Sequence, residues 1–223
     1  MQRAYGLEVP QNLEEACDPR RLALVVYDMQ VGILRQIRGG DAVTANVAKV
    51  LRVARDVGMR VFYLRHMSLP KELMGVFQLR MAMAWQRVGS VDDVKPWFLL
   101  DSPGFQILPE VAPLPSEAVF DKITMSAFEG TPLDIALRDC GINAFLITGV
   151  AMEIGIEPTV RHGADLGYIP IVVTDACGAG DPEAGERALA SLRYMGDALF
   201  TNVAEIRDVL SRGGGPRHAA PRR

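Results

Sequence analysis

Residues 144–162 read Ala-Phe-Leu-Ile-Thr-Gly-Val-Ala-Met-Glu-Ile-Gly-Ile-Glu-Pro-Thr-Val-Arg-His, and this stretch decides the fold. Ala144 to Thr148 is short and apolar, the pattern of a parallel strand covered on both faces. Gly149 punctuates a tight turn. From Glu153 to Gly167 the spacing predicts a helix, with Pro158 in its first turn, where a missing N–H costs little. Such a turn sets backbone N–H groups at the carboxyl edge of the sheet, where α/β folds bind ligands.

The same alternation extends in both directions. Strands are predicted at Leu22–Tyr27, Met59–Leu64, Glu117–Asp121, Ile169–Thr174 and Ala198–Thr201. A helix is predicted over Asp41–Val57, with Val43, Val47, Val50, Leu51 and Ala54 on one face and Gly58 closing it. Others follow Thr131-Pro132, Asp181-Pro182 and Val203, the first two with a capping side chain before a proline. Six strands alternating with helices imply an α/β, doubly wound (Rossmann-like) three-layer sandwich with a six-stranded parallel sheet. The expected organisation is an N-terminal arm over 1–21, one α/β domain over 22–210 and a disordered Gly/Pro-rich basic tail over 211–223.

Composition narrows the function. With 223 residues, 49% hydrophobic and 23% charged, the chain suits one soluble domain. A net charge of −3 gives no general attraction to nucleic acid or anionic membrane. No apolar run approaches a membrane span, and the N-terminus lacks the apolar core of a signal peptide. Three scattered cysteines, Cys17, Cys140 and Cys177, favour reduced thiols and a cytoplasmic protein. No Gly-x-Gly-x-x-Gly follows the first strand, so no dinucleotide is expected. His66 stands alone after the second strand, and neither a metal nor a cofactor is expected.

Several residues read in two ways. Asp28 directly follows a buried strand, as a turn residue or as a functional carboxylate. Leu73, Phe77, Met81, Ala84 and Val88 recur at helical spacing over 70–88, either as one buried face or as a lid or dimer segment that brings Trp85 to a pocket. Glu153 either greets the positive end of a helix or faces a substrate. Glu157 and Arg161 make a structural i,i+4 pair. Cys177 is either a buried small residue or a thiol reaching the site from a neighbouring strand end.

Three separated segments carry a resemblance across about residues 20–210. Tyr27-Asp28-Met29-Gln30, Lys122 with its following Ser126-Ala127-Phe128 and Gly130-Thr131, and Gly149-Val150-Ala151 stand in the order found in the isochorismatase-like (cysteine hydrolase) superfamily. Asp175-Ala176-Cys177 is a further family-like segment. The resemblance implies that Asp28 is the catalytic acid/base and Lys122 its partner. It implies a turn, commonly with a cis peptide before the alanine, in which Val150, Ala151, Glu153, Ile154 and Gly155 bind substrate or an oxyanion. It adds Gln30, Trp85, Phe128 and Cys177 as further candidates. The position of the family's nucleophilic Cys holds Gly155, so covalent thiol catalysis from there is excluded.

Isochorismatases within that superfamily also carry Gly at this position and cleave a vinyl ether by proton transfer and water attack. The resemblance therefore implies a hydrolase of a small organic molecule, acting on a vinyl ether or an amide-type bond by Asp/Lys-assisted water attack. Amide hydrolysis through Cys177 is a variant of the same reading. The reading from a different class is a catalytically silent, small-molecule-binding or scaffold protein. Relatives imply a homo-oligomer, a dimer or tetramer. The segment Met152-Glu153 departs from the isochorismatase pattern, so the substrate is left open.

Overall fold

The structure, a computed structural model, describes residues 1–213. A hairpin of β1 (Gln2–Ala4) and β2 (Leu7–Val9) and a short α1 (Leu13–Ala16) form the N-terminal arm. The remaining strands are β3 (Leu22–Tyr27), β4 (Arg60–His66), β5 (Ala118–Lys122), β6 (Ala144–Val150), β7 (Ile169–Gly178) and β8 (Leu199–Thr201). They form one parallel six-stranded sheet in the order β5-β4-β3-β6-β7-β8. The order reverses direction between β3 and β6, whose carboxyl ends therefore flank the crevice of the sheet.

The helices are α2 (Val31–Leu34), α3 (Gly40–Asp56), α4 (Val76–Gln86), α5 (Leu133–Asp139), α6 (Glu157–Asp165), α7 (Pro182–Met195) and α8 (Val203–Gly213). Every residue of β3 and of β6 is buried, as expected of strands covered on both faces. Alternate residues of β3 face opposite layers. Leu22, Leu24 and Val26 pack with Val47, Val50 and Leu51 of α3 and Ile206 of α8. Ala23, Val25 and Tyr27 pack with Leu133 of α5, Val160 of α6 and Leu192 of α7. Tyr27 thus leaves the sheet on the side covered by α6.

Local signals hold with small shifts. The Asp181 carboxylate accepts from Ala184 N–H at 2.7 Å, capping α7 with Pro182 just inside it. Thr131 Oγ1 accepts from Leu133 N–H at 3.2 Å, and α5 starts at Leu133. Glu157 and Arg161 pair at 2.9 Å. The helix predicted from Glu153 begins as a π-helical turn, Met152–Ile156, before α6. The strand predicted to end at Thr174 continues to Gly178. α8 runs on to Gly213, so the first residues of the predicted disordered tail are helical; residues 214–223 of that tail lie outside the described residues.

The segment over 70–88 departs most from expectation. A short 3-10 turn, Lys71–Leu73, precedes α4, and the predicted buried face is absent. Leu73 and Phe77 are exposed, and the one buried residue of α4 is Gln78. The reason lies in placement: α4 sits beside the open carboxyl edge of the sheet, not on a sheet face, so its apolar residues have no layer to cover.

Candidate active site

β3 delivers Asp28 to the crevice. Its N–H donates to Leu64 O of β4 at 3.0 Å, and it turns the chain at φ +49°, a left-handed conformation that aspartate tolerates better than most residues. The parallel register aligns His66 of β4 with Lys122 of β5, and Tyr27 with Gly149 of β6. Four strand ends therefore bring Asp28, His66, Lys122 and the turn after Gly149 to one edge.

Lys122 Nζ donates to Asp28 Oδ2 at 2.9 Å and to Thr124 O at 3.3 Å, and it lies 4.2 Å from the centroid of the Tyr27 ring. The lysine side chain is fully buried and that of the aspartate 8% exposed. Asp28 Oδ1 is buried without a hydrogen-bond partner. The nearby His66 N–H donates instead to Gln30 Oε1 at 2.6 Å, while Gln30 Nε2 donates to His66 O and Phe105 O at 3.0 Å each. Gln30 thus fixes the end of β4 and is not part of the cavity wall.

Burial penalises both charges of the pair. It raises the Asp28 carboxyl to about 6, against the opposing pull of Lys122 and, more weakly, of the nearby His66 N–H, and it lowers the Lys122 ammonium from its usual range. Burial, with Lys122 close by, drops His66 to about 3, so its imidazole is neutral at pH 7.

Asp28 opens on a cavity of about 510 Å3, a size suited to a small organic molecule. Val150 and Ala151, joined by a cis peptide, form one wall with Ile154. Trp85, Trp97 and Phe98 give the cavity an aromatic lining, and His66, whose ring meets Phe98 edge-on at 6.0 Å between centroids, lines it too. Glu153, Asp181 and Arg87 also line the cavity. Glu153 Oε1 accepts from Asp181 N–H at 2.8 Å, tying the turn to the start of α7, and its Oε2 has no partner. Among the described residues no cluster of three His, Cys, Asp or Glu side chains has a metal-binding arrangement.

Several candidates occupy other places. The N–H groups of Ile154, Gly155 and Ile156 all donate to Ala151 O, at 3.2, 3.0 and 3.1 Å, so Ile154 and Gly155 offer no oxyanion donor here. Gly155 is buried and is not among the residues that line the cavity. Phe128 stacks on Tyr168 in the core, 5.6 Å between centroids, and does not line the cavity. Cys177 Sγ lies 3.6 Å from Ile147 O inside the sheet, and burial holds its thiol well above the ordinary value. An inert thiol in that position does not replace a nucleophile.

Tyr27 is the residue that sequence reasoning missed. A Cβ placed on Gly155 would fall closer than 3.0 Å to Cε1, Cζ and the hydroxyl oxygen of Tyr27. The aromatic ring fills the space next to position 155. The signal in the sequence was the pairing of a large residue before Asp28 with Gly155. Gly149 is held equally tightly: at φ +120°, a Cβ would run into the Tyr27 backbone.

The isochorismatase domain profile matches residues 22–205. The chain belongs to the isochorismatase family. It is a hydrolase of that family, and similar solved structures share its fold. A cysteine hydrolase from Pseudomonas syringae pv. phaseolicola 1448A is 23% identical, with a TM-score of 0.76 over 89% of this chain and 96% of that one. An isochorismatase family protein from Desulfovibrio vulgaris subsp. vulgaris str. Hildenborough is 25% identical, with a TM-score of 0.73 over 86% and 100% of the two chains. An N-carbamoylsarcosine amidase from Thermoplasma acidophilum is 24% identical, with a TM-score of 0.65 over 82% and 96%. Among the described residues of this isochorismatase-family chain no helix is long and apolar enough to cross a membrane.

Proposed function

We propose that this isochorismatase-family hydrolase cleaves a small organic molecule without a covalent enzyme intermediate, using Asp28 as general acid and water as nucleophile. One observation carries the reading: Asp28 Oδ2 is bound by Lys122 while Oδ1 is buried, unpartnered and part of a residue that faces the cavity. The raised carboxyl, at about 6, supports a proton on Asp28 in mildly acidic conditions.

A vinyl ether suits this arrangement. Asp28 transfers its proton to the alkene carbon, leaving an oxygen-stabilised cation. Water adds to the cationic carbon, its proton returns to Asp28, and the resulting hemiketal collapses to a carbonyl compound and an alcohol. Lys122 balances the carboxylate charge after proton transfer. Trp85, Trp97 and Phe98 give the substrate an apolar surface, and Val150, Ala151 and Glu153 line the same cavity. Gly155 supplies no side chain, so an enzyme-bound thioester is absent from the pathway.

The test is a mass-spectrometric turnover screen of vinyl ethers, small amides, carbamates and ureides, run beside Asp28→Asn. Turnover of a vinyl ether that the variant loses is the expected result. Equal turnover by wild type and Asp28→Asn would remove the acid/base assignment. The exposed apolar side chains of Leu73, Val76 and Phe77 support the further reading that the protein works as a homo-oligomer, a dimer or tetramer.

A further inference from the structure

We propose that Tyr27 is a positioning residue of this site: its ring occupies the space that any side chain at position 155 would need and seats the Lys122 ammonium against Asp28. The inference rests on the reading of Asp28 and Lys122 as the catalytic pair, and it assigns to a third residue the arrangement of that pair.

The geometry has two halves. On one side the ring blocks position 155, where a Cβ would approach three of its atoms closer than 3.0 Å. The ring has no easy way to yield. Tyr27 is buried in the last position of β3, and its hydroxyl donates to Met125 O. On the other side the ring carries Lys122. An ammonium group has three N–H bonds. One is directed to Asp28 Oδ2 at 2.9 Å and one to Thr124 O at 3.3 Å. The Tyr27 face, 4.2 Å away, is the third partner of a charge that burial has stripped of water.

Position 27 and position 155 are therefore coupled through one ring. A side chain at 155 pushes the ring, and the ring supports the cation that holds Asp28 Oδ2. A smaller, non-aromatic residue at 27 opens space beside Lys122 and removes its π partner. The ammonium is then held less firmly, and Asp28 loses part of the counter-charge that opposes its desolvation.

Two measurements on the full chain decide this without any turnover. The first follows the Asp28 carboxyl carbon by NMR titration in protein with 13C-labelled aspartate. Tyr27→Phe keeps the ring and is expected to leave the midpoint near the wild-type value. Tyr27→Leu is expected to raise it by about one pH unit. An unmoved midpoint in Tyr27→Leu, or an equal shift in Tyr27→Phe, overturns the seating role. The second is a thermal-denaturation cycle. Gly155→Ala is expected to lower Tm by roughly 5 °C or more through overpacking, and by clearly less in the Tyr27→Leu background. Equal losses in both backgrounds overturn the shared-space claim. Should Gly155→Ala alone not fold, a folded Tyr27→Leu/Gly155→Ala protein supports the claim and an equally unfolded one overturns it. Equal turnover by wild type and Asp28→Asn removes the acid/base reading and leaves both of these results standing, so the two can fail separately.

Discussion

At the scale of single residues, the two oxygens of Asp28 have different surroundings, and the proposed mechanism gives them different tasks. Oδ2 is held by Lys122 at 2.9 Å, and Oδ1 has no partner. Asn at position 28 keeps the shape and cannot donate an acidic proton, so turnover is expected to fall by about 10²–10⁴-fold with the fold retained, checked by steady-state rates and circular dichroism. The pH dependence follows from the raised carboxyl. Burial favours the neutral acid up to about 6, and the general acid must be protonated. The kcat/KM profile is therefore expected to fall as pH rises through about 6, with about a tenth of the acid form left one unit higher. A profile that rises through the same region would mean that Asp28 works as a base, as direct water attack on an amide requires.

At the scale of elements, α4 and the segment after it contribute aromatic lining to the cavity. Trp85 of α4 is 42% exposed yet lines the cavity with Trp97 and Phe98. Trp85→Ala removes binding surface and leaves Asp28 and Lys122 untouched, so KM is expected to rise about tenfold or more with a smaller change in kcat, read from steady-state kinetics. These elements also show where sequence reading succeeds and stops. The buried strands β3 and β6, the Asp181 cap and the Glu157–Arg161 pair were legible because local pattern and tertiary burial agree there. α4 was not, because its apolar residues border an open edge, and helical spacing alone does not say which face finds a layer. Motif order pointed to Asp28 and Lys122 together, and the structure brings the two side chains to 2.9 Å. The contact of Tyr27 with the space beside Gly155 was not legible, since it joins a strand to a turn 128 positions later (155 − 27) and needs the register Tyr27↔Gly149 to exist. The donors of the turn were misjudged for a similar reason: the π-helical turn directs three N–H groups to Ala151 O.

At the scale of the whole molecule, the sheet order β5-β4-β3-β6-β7-β8 does the assembling. It places the ends of β3 and β6 side by side at the point where the order reverses, with β4 and β5 bringing His66 and Lys122 next to them. Sedimentation equilibrium is expected to give a dimer or tetramer, covering Leu73, Val76 and Phe77; a monomer at micromolar concentration would contradict this. The central claim is that water, and no group of the enzyme, attacks the substrate. It is tested most directly by a single turnover in H2(18)O with enzyme in excess over the best substrate of the panel. Direct water attack predicts 18O in the product of that first turnover, and product carrying enzyme-derived 16O, or protein trapped with substrate mass attached, would contradict it.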